Sequence, residues 1–170
     1  MALPKILKNF NVFHNGENWM GKCAEFTIPK LARKMEAIRT GGMNGEVEVD
    51  LGMEKMESTQ TYPGPMRQVY EQWGISKIDG VMLRFAGYIE DDDSEGSGDS
   101  IEVVLRGRYK EIDPGSSKAG DKSDFKPTMS VTYFKYSVNG TTIVEIDLVN
   151  FIEVVNGVDR LAEQRKAIGL

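Results

Sequence analysis

Residues 130–148 read SVTYFKYSVNGTTIVEIDL. At their centre is Asn139-Gly140, a dipeptide suited to a two-residue type I′ turn because both turn positions take positive φ. Thr, Tyr, Phe, Val and Ile crowd both sides, so the stretch reads as a β-hairpin. The turn implies a register. Val138 faces Thr141, Tyr136 faces Ile143 and Phe134 faces Glu145; on the opposite side Lys135 meets Val144, Tyr133 meets Ile146 and Val131 meets Leu148. A half-buried hairpin alternates apolar and polar residues. Here apolar pairs fall on both faces. One face can serve the chain's own core; the other asks for a cover from another layer of this chain or from another chain. That surplus is a first sign of assembly.

Outward from this hairpin the chain keeps a β character. Residues 11–23, NVFHNGENWMGKC, form a second hairpin pattern around Asn15-Gly16, and residues 24–28 continue extended to Pro29. Residues 31–39, LARKMEAIR, fit either a helix or a strand. The Gly-rich run 41–45 turns the chain, and residues 46–50, EVEVD, alternate as an exposed or edge strand does. Met53, Met56 and residues 58–62 suggest a further strand. Met43, Met53, Met56 and Met66 suit either core gaps or an adaptable interface. Residues 65–73, PMRQVYEQW, read as a helix with Pro in its first turn and Gly74 beyond it. Met66, Val69, Tyr70 and Trp73 form an apolar stripe expected to face the core. Strands follow at 80–90, 100–112, 126–138 and 151–155. Asp159 can cap a short last helix over 160–167. The expected architecture is mainly β, one domain over 1–170: an antiparallel β-sandwich or barrel with one packed α-helix and a short C-terminal helix.

Composition narrows the function. The 170 residues are 40% apolar and 28% charged, with a net charge of −5. Residues 1–45 carry seven Lys/Arg against three acids, and the remainder carries fourteen against twenty-three. This asymmetry is either a spread of solvated charge or a means for subunits to meet basic end to acidic end. A net acidic surface argues against sequence-independent DNA binding, which needs cations against phosphates. No apolar run approaches the ~20 residues of a spanning helix, and the first ten residues lack the apolar core of a signal peptide. Cys23 is alone, which excludes a disulfide within the chain.

Catalytic patterns are scarce. His14 is the single histidine, and there is no G-x-S-x-G. His14 and Cys23 therefore read as an exposed hairpin residue and a strand residue rather than a catalytic pair. Asp91, Asp93, Glu95, Gly96, Asp99 and Glu102 occupy positions 1, 3, 5, 6, 9 and 12 of an EF-hand-like loop. Their flanks read as strands, though, and a solvated hairpin tip explains the acids without calcium. No carboxylate pair stands out for glycoside hydrolysis. Arg106, Arg108 and Lys110 could form a nucleic-acid stripe, but Glu102, Glu111 and Asp113 nearby favour ion pairing between strands or subunits. No catalytic, cofactor or metal residues are expected.

Several short motifs recur in a specific order: Asn11-Val12-Phe13 before Asn15-Gly16, Ile28-Pro29-Lys30-Leu31, RTGGMNG over 39–45 and Val49-Asp50-Leu51-Gly52-Met53. Leu105-Arg106-Gly107-Arg108, residues 110–115, Val131-Thr132-Tyr133-Phe134-Lys135, residues 144–147, 156–159 and 168–170 complete the series. In this order and spacing the chain resembles the major tail tube proteins of contractile-tailed bacteriophages, including those of R-type tailocins. The resemblance implies a structural virion protein without catalysis or cofactor. Hexameric rings would stack into the inner tail tube, with strands of all subunits closing a β-barrel around the lumen. Sheath, tape-measure and baseplate proteins would be partners. DNA would pass through the lumen without specific binding, and this chain alone would not insert into a membrane. Assembly would take place in the host bacterial cytoplasm, and the product would be the virion tail. Gly41, Gly42, Met43, Asn44, Gly45, Val47, Val49 and Leu51 are expected to touch a neighbouring subunit, because a Gly-rich segment is hard to bury alone. The competing expectation is a calcium-dependent β-sandwich binding module built on residues 91–102.

Overall fold

The structure is a computed structural model that describes residues 3–93 and 97–170. In chain order it places β1 (Ile6–His14), β2 (Glu17–Asn18), β3 (Glu25–Phe26), β4 (Arg33–Ile38), β5 (Val47–Met53), β6 (Met56–Thr61) and α1 (Arg67–Glu71). There follow β7 (Val81–Glu90), β8 (Asp99–Asp113), β9 (Lys126–Val138), β10 (Thr141–Asp147), β11 (Ile152–Val155), β12 (Val158–Asp159) and α2 (Ala162–Ile168). One antiparallel sheet has the order β12-β11-β10-β9-β8-β7-β1-β2, with β6 also on β9 and β3 on β6. Strands β4 and β5 form a separate two-stranded ribbon, so the ambiguous stretch 31–39 is resolved as strand.

The Asn139-Gly140 turn forms, with φ of +50° and +79°, and Val138 lies opposite Thr141. Ser137 still lies opposite Thr142, and beyond that pair the expected register fails. Ile143 is an extra residue in β10, so Tyr136 meets Val144, Phe134 meets Ile146 and Tyr133 meets Asp147. Thr132 is an extra residue in β9 against β8, where Tyr133 faces Arg106 but Val131 faces Gly107. Each bulge inverts the inside–outside alternation of its strand. Together they put Met129, Val131, Phe134 and Ile146 on one buried side. Much of the apolar surplus of this hairpin is thus absorbed by the chain's own core. On the other side Tyr133 carries the Arg106 guanidinium 4.8 Å from its ring centroid. At Thr132 strand β9 also changes neighbour, from β6 before the bulge to β10 after it.

The segment after β2 crosses the open side of the sheet. Phe26 of β3 packs on Phe85 of β7 with ring centroids 5.1 Å apart, and Trp19 meets Tyr62 edge-on at 5.5 Å. The core so enclosed is built around Trp19, Met56, Tyr62, Leu83, Leu105 and Phe125, all fully buried. Each large apolar side chain there contributes roughly 1.5–3 kcal/mol. Met56 and Met66 are core residues, and Met53 packs against the core. Met43 lies at the ribbon turn.

The helix over 65–73 shrinks to five residues, and its apolar stripe splits. Met66 and Val69 are buried, whereas Tyr70 and Trp73 are 48% and 54% exposed. The Gln72 and Trp73 N–H groups bond three residues back, to Val69 and Tyr70. That 3₁₀ spacing stacks i on i+3 and turns the i+7 position off the buried face. Helix α2 ends at Gly169 in the left-handed conformation and buries no residue. It is held instead by Asp159, which accepts the Leu161 N–H at 3.0 Å and pairs with Arg165, while Arg165 also reaches the Phe151 carbonyl at 2.9 Å.

Candidate assembly surface

The ribbon follows from its sequence. Residues 47–51 alternate and are joined to 33–38 by a run with two glycines at 41–42, and Gly42 sits at φ +85°. Ile38 lies opposite Val47, Ala37 opposite Glu48, Glu36 opposite Val49 and Met35 opposite Asp50. Leu51 and Gly52 together face one residue of β4, a bulge that Gly52 permits with φ +113°. With a side-chain period of two, Val47, Val49 and Leu51 share a face with Ile38. On that face Ile38 is 40%, Val47 48% and Leu51 50% exposed. A strand pair with neither face on a core does not stabilise itself in water. Its apolar face is left open to solvent in the subunit.

The expected contact residues are therefore brought together. Val47, Val49 and Leu51 line one face, and Gly41, Gly42, Asn44 and Gly45 form the exposed tip. Met43 differs: it is half-buried, its N–H bonds the Thr40 carbonyl, and its sulfur lies 3.3 Å from the Thr40 hydroxyl oxygen. Met43 shapes the turn more than it offers contact area. The sequence reading missed the anchor at the ribbon's base. Arg33 bridges Asp50 at 3.2 Å and also pairs with Glu153 of β11, whose side chain is 8% exposed. Beside this anchor a cavity of about 560 Å³ is lined by Arg33, Leu51, Phe151 and Leu161 among others. No local signal links Arg33 to a carboxylate 120 residues away. Met35 and Ile38 were less legible, since LARKMEAIR does not alternate as EVEVD does and its spacing also fits a helix.

The other candidate chemistry is dismantled by geometry. His14 is buried at 3% exposure rather than exposed, stacked on Trp19 with centroids 4.2 Å apart. Burial lowers its pKa, opposed by the Gln72 side chain and the Glu17 charge. Burial pushes the Cys23 thiol up to about 11, so it stays protonated, and it lies in a loop rather than a strand. In the acidic segment, Glu95 and Gly96 lie outside the described residues. Asp99 and Glu102 belong to β8, three positions apart, and so leave opposite faces of the sheet. Asp99 bonds Lys5 at 2.6 Å and Glu102 approaches Arg84 at 3.7 Å. Among the described residues no cluster of potential ligands is placed to hold a metal ion. Hydrogen bonds from Lys5, Lys110 and Arg165 respectively hold Asp99, Glu57 and Asp159 below the usual carboxylate range. A glycosidase acid needs the opposite shift. In the basic stripe, Lys110 pairs with Glu57 across the sheet and Arg106 stacks on Tyr133. These side chains are engaged within the fold.

The fold and this surface agree with what the chain is similar to. The family model described as phage tail tube protein FII matches residues 4–169. The tail tube protein of Escherichia phage P2 is 44% identical over the full length of both chains. The major tail tube protein of Serratia phage KSP20 is 40% identical, over 89% of this chain and 88% of that protein. Among solved structures, a chain from the cryo-EM structure of the sheath/tube terminator of an extracellular contractile injection system, PVC, in its extended state superposes with a TM-score of 0.59. At 10% identity it covers 80% of this chain and 98% of its own, and it shares the fold. With nearly its whole length matched, the chain belongs to the phage tail tube protein FII family, whose members are structural components of the virion tail and not enzymes.

Proposed function

We propose that residues 1–170 act as one tail-tube domain that self-assembles into rings, six subunits to a ring, stacked as the inner tube of a contractile tail. The observation that carries this reading is the β4–β5 ribbon, whose apolar face projects from a subunit that already has its own buried core. In the assembled tube that face is covered by a neighbouring subunit. Gly41, Gly42, Asn44 and Gly45 let the tip fit its partner surface, and Val47, Val49 and Leu51 supply the contact area. The surrounding sheath drives the tube through the host envelope, and tape-measure and baseplate proteins set its length and its start. Assembly takes place in the host cytoplasm. The net charge of −5 lets DNA slide through the lumen without sequence-independent attachment to cations.

Replacing residues 41–45 with a rigid linker tests this. Negative-stain microscopy of the purified variant, seeded with baseplates, should show tube growth blocked while circular dichroism stays that of the parent protein. Tubes of unchanged length in that variant would overturn the ribbon's role.

A further inference from the structure

Strand β1 is the sheet's exposed flank. Its partner β2 covers only Phe13 and His14, and no described strand lies beside Ile6–Asn11 on that side. The main-chain direction there is set by one bond: the Trp19 N–H donates to the Val12 carbonyl at 2.9 Å, so Val12 faces away from β7. Phe10, two residues earlier in the same strand, faces the same way. A ladder would continue with the Val12 N–H donating to the Trp19 carbonyl. That carbonyl instead accepts the Lys22 N–H at 3.1 Å. The Val12 N–H is taken by the Asn11 side-chain oxygen at 2.9 Å, and the Phe10 N–H by the Asn9 side-chain oxygen at 2.8 Å. Asn11 is itself tied down, its amide donating to the Asn18 side-chain oxygen at 2.9 Å. Two asparagines thus occupy consecutive outward N–H groups of an open strand edge. Such an edge is a template for strand addition unless it is blocked, and β-augmentation uses these same main-chain groups.

We infer that Asn9 and Asn11 are removable caps that close the β1 edge in the free subunit, and that on assembly this edge receives strand β4 from the ribbon of a second copy. This rests on the assembly reading above and adds the site at which the ribbon docks. The edge opens on a groove of about 810 Å³ beside Phe10, Met20 and Tyr88, in which Met20 is 75% exposed. It can receive Ile38 of β4, on the ribbon face that Val47, Val49 and Leu51 share, while Met35 leaves from the opposite face. Charge sets the direction. Ile6 lies opposite Glu90, so Glu90 flanks the N-terminal end of this edge, next to Asp92, which Lys8 of the same chain already pairs. Laid antiparallel, β4 brings Arg39 to that end.

Two proteins test the inference. In the double variant Asn9→Val, Asn11→Val the caps are gone and the edge N–H groups remain. The concentration at which tubes form should fall about tenfold, the scale of one net hydrogen bond, with the monomer's circular dichroism unchanged. The second carries an N-methylated amide at Phe10, made by ligating residues 1–22 to the fragment that begins at Cys23. It keeps the Phe10 side chain but removes the edge donor. It should fail to form tubes at concentrations where the unmodified ligation product forms them. Wild-type tubes with unchanged thresholds in both proteins would overturn the edge inference alone. Wild-type and uncapped proteins that both stay monomeric at every concentration would overturn it together with the assembly reading.

Discussion

At the scale of single residues, His14 shows how burial converts a side chain with catalytic potential into a structural one. The ring lies flat on Trp19, its planes 9° apart, with Tyr109 on the same stack at 6.4 Å. The phenols of Tyr109 and Tyr62 are pushed up by burial and stay neutral. The Glu17 carboxylate acts on the imidazole from the hairpin but does not offset desolvation. A histidine with a lowered native pKa binds its proton more weakly folded than unfolded. Stability is therefore complete above the unfolded pKa, about 6.5, and declines as pH falls from there toward the native value, by up to ~1.4 kcal/mol per pH unit. Thermal unfolding followed between pH 7.5 and pH 5 should show this decline. His14→Phe keeps a flat ring on Trp19 and removes the proton, so its profile should be flatter over the same window. An equal slope in the variant would assign the decline to carboxylates instead. Gln72, on the turn after α1, also faces this ring, and nothing in the local pattern around residue 14 announces such a lid.

At the scale of elements, the ribbon's orientation depends on one arginine. Arg33 crosses from β4 to Glu153, whose side chain is nearly buried, and its removal leaves that carboxylate without its cation. Because the Arg33 side chain is 37% exposed, solvent screens the pair, and Arg33→Met should cost about 1 kcal/mol rather than the 3–5 kcal/mol of a fully buried pair. The more specific effect is local. Amide exchange across β4 and β5 should accelerate while β8 and β9 exchange as before; uniform acceleration everywhere would mean that Arg33 supports the whole fold. The sequence made these elements legible to unequal degrees. Turn dipeptides gave both hairpins, and alternation gave β7, β8 and β5, because those signals lie within a few residues. The bulges at Thr132 and Ile143 did not show. A bulge is chosen by which register buries Phe134 and Ile146 together, and that is decided by strands elsewhere in the chain. The fate of Tyr70 and Trp73 was hidden for the same reason, since one turn of 3₁₀ geometry reassigns a helical stripe. Val47, Val49 and Leu51 were expected at a contact because a Gly-rich segment is hard to bury alone, and the fold gathers them on one open ribbon face, whereas Arg33, Glu153 and the Asn9 and Asn11 caps need the fold to become visible.

At the scale of the whole molecule, the uneven charge of the chain finds a partial use within the subunit. Lys5 bonds Asp99 at 2.6 Å and Lys8 bonds Asp92 at 2.5 Å, so two of the N-terminal cations face the acidic connection of their own chain. What remains to act between subunits is a net charge of −5 on each, and stacking such subunits gathers like charge. Repulsion between exposed charges reaches about 20 Å at an ionic strength of about 0.02 M and about 7 Å at about 0.2 M. Apolar contact through the ribbon is not weakened over the same range. Raising salt across it should therefore lower the concentration at which tubes form, by a fewfold, measured by sedimentation at fixed pH. The alternative use of the asymmetry, subunits meeting basic end to acidic end, has the opposite sign, because screening would weaken attraction and raise that concentration. A threshold that rises with salt would thus place the dominant contact between unlike charges rather than on the apolar ribbon face. It would also direct attention to Lys34 and Arg39, the ribbon's basic residues outside the Arg33 anchor.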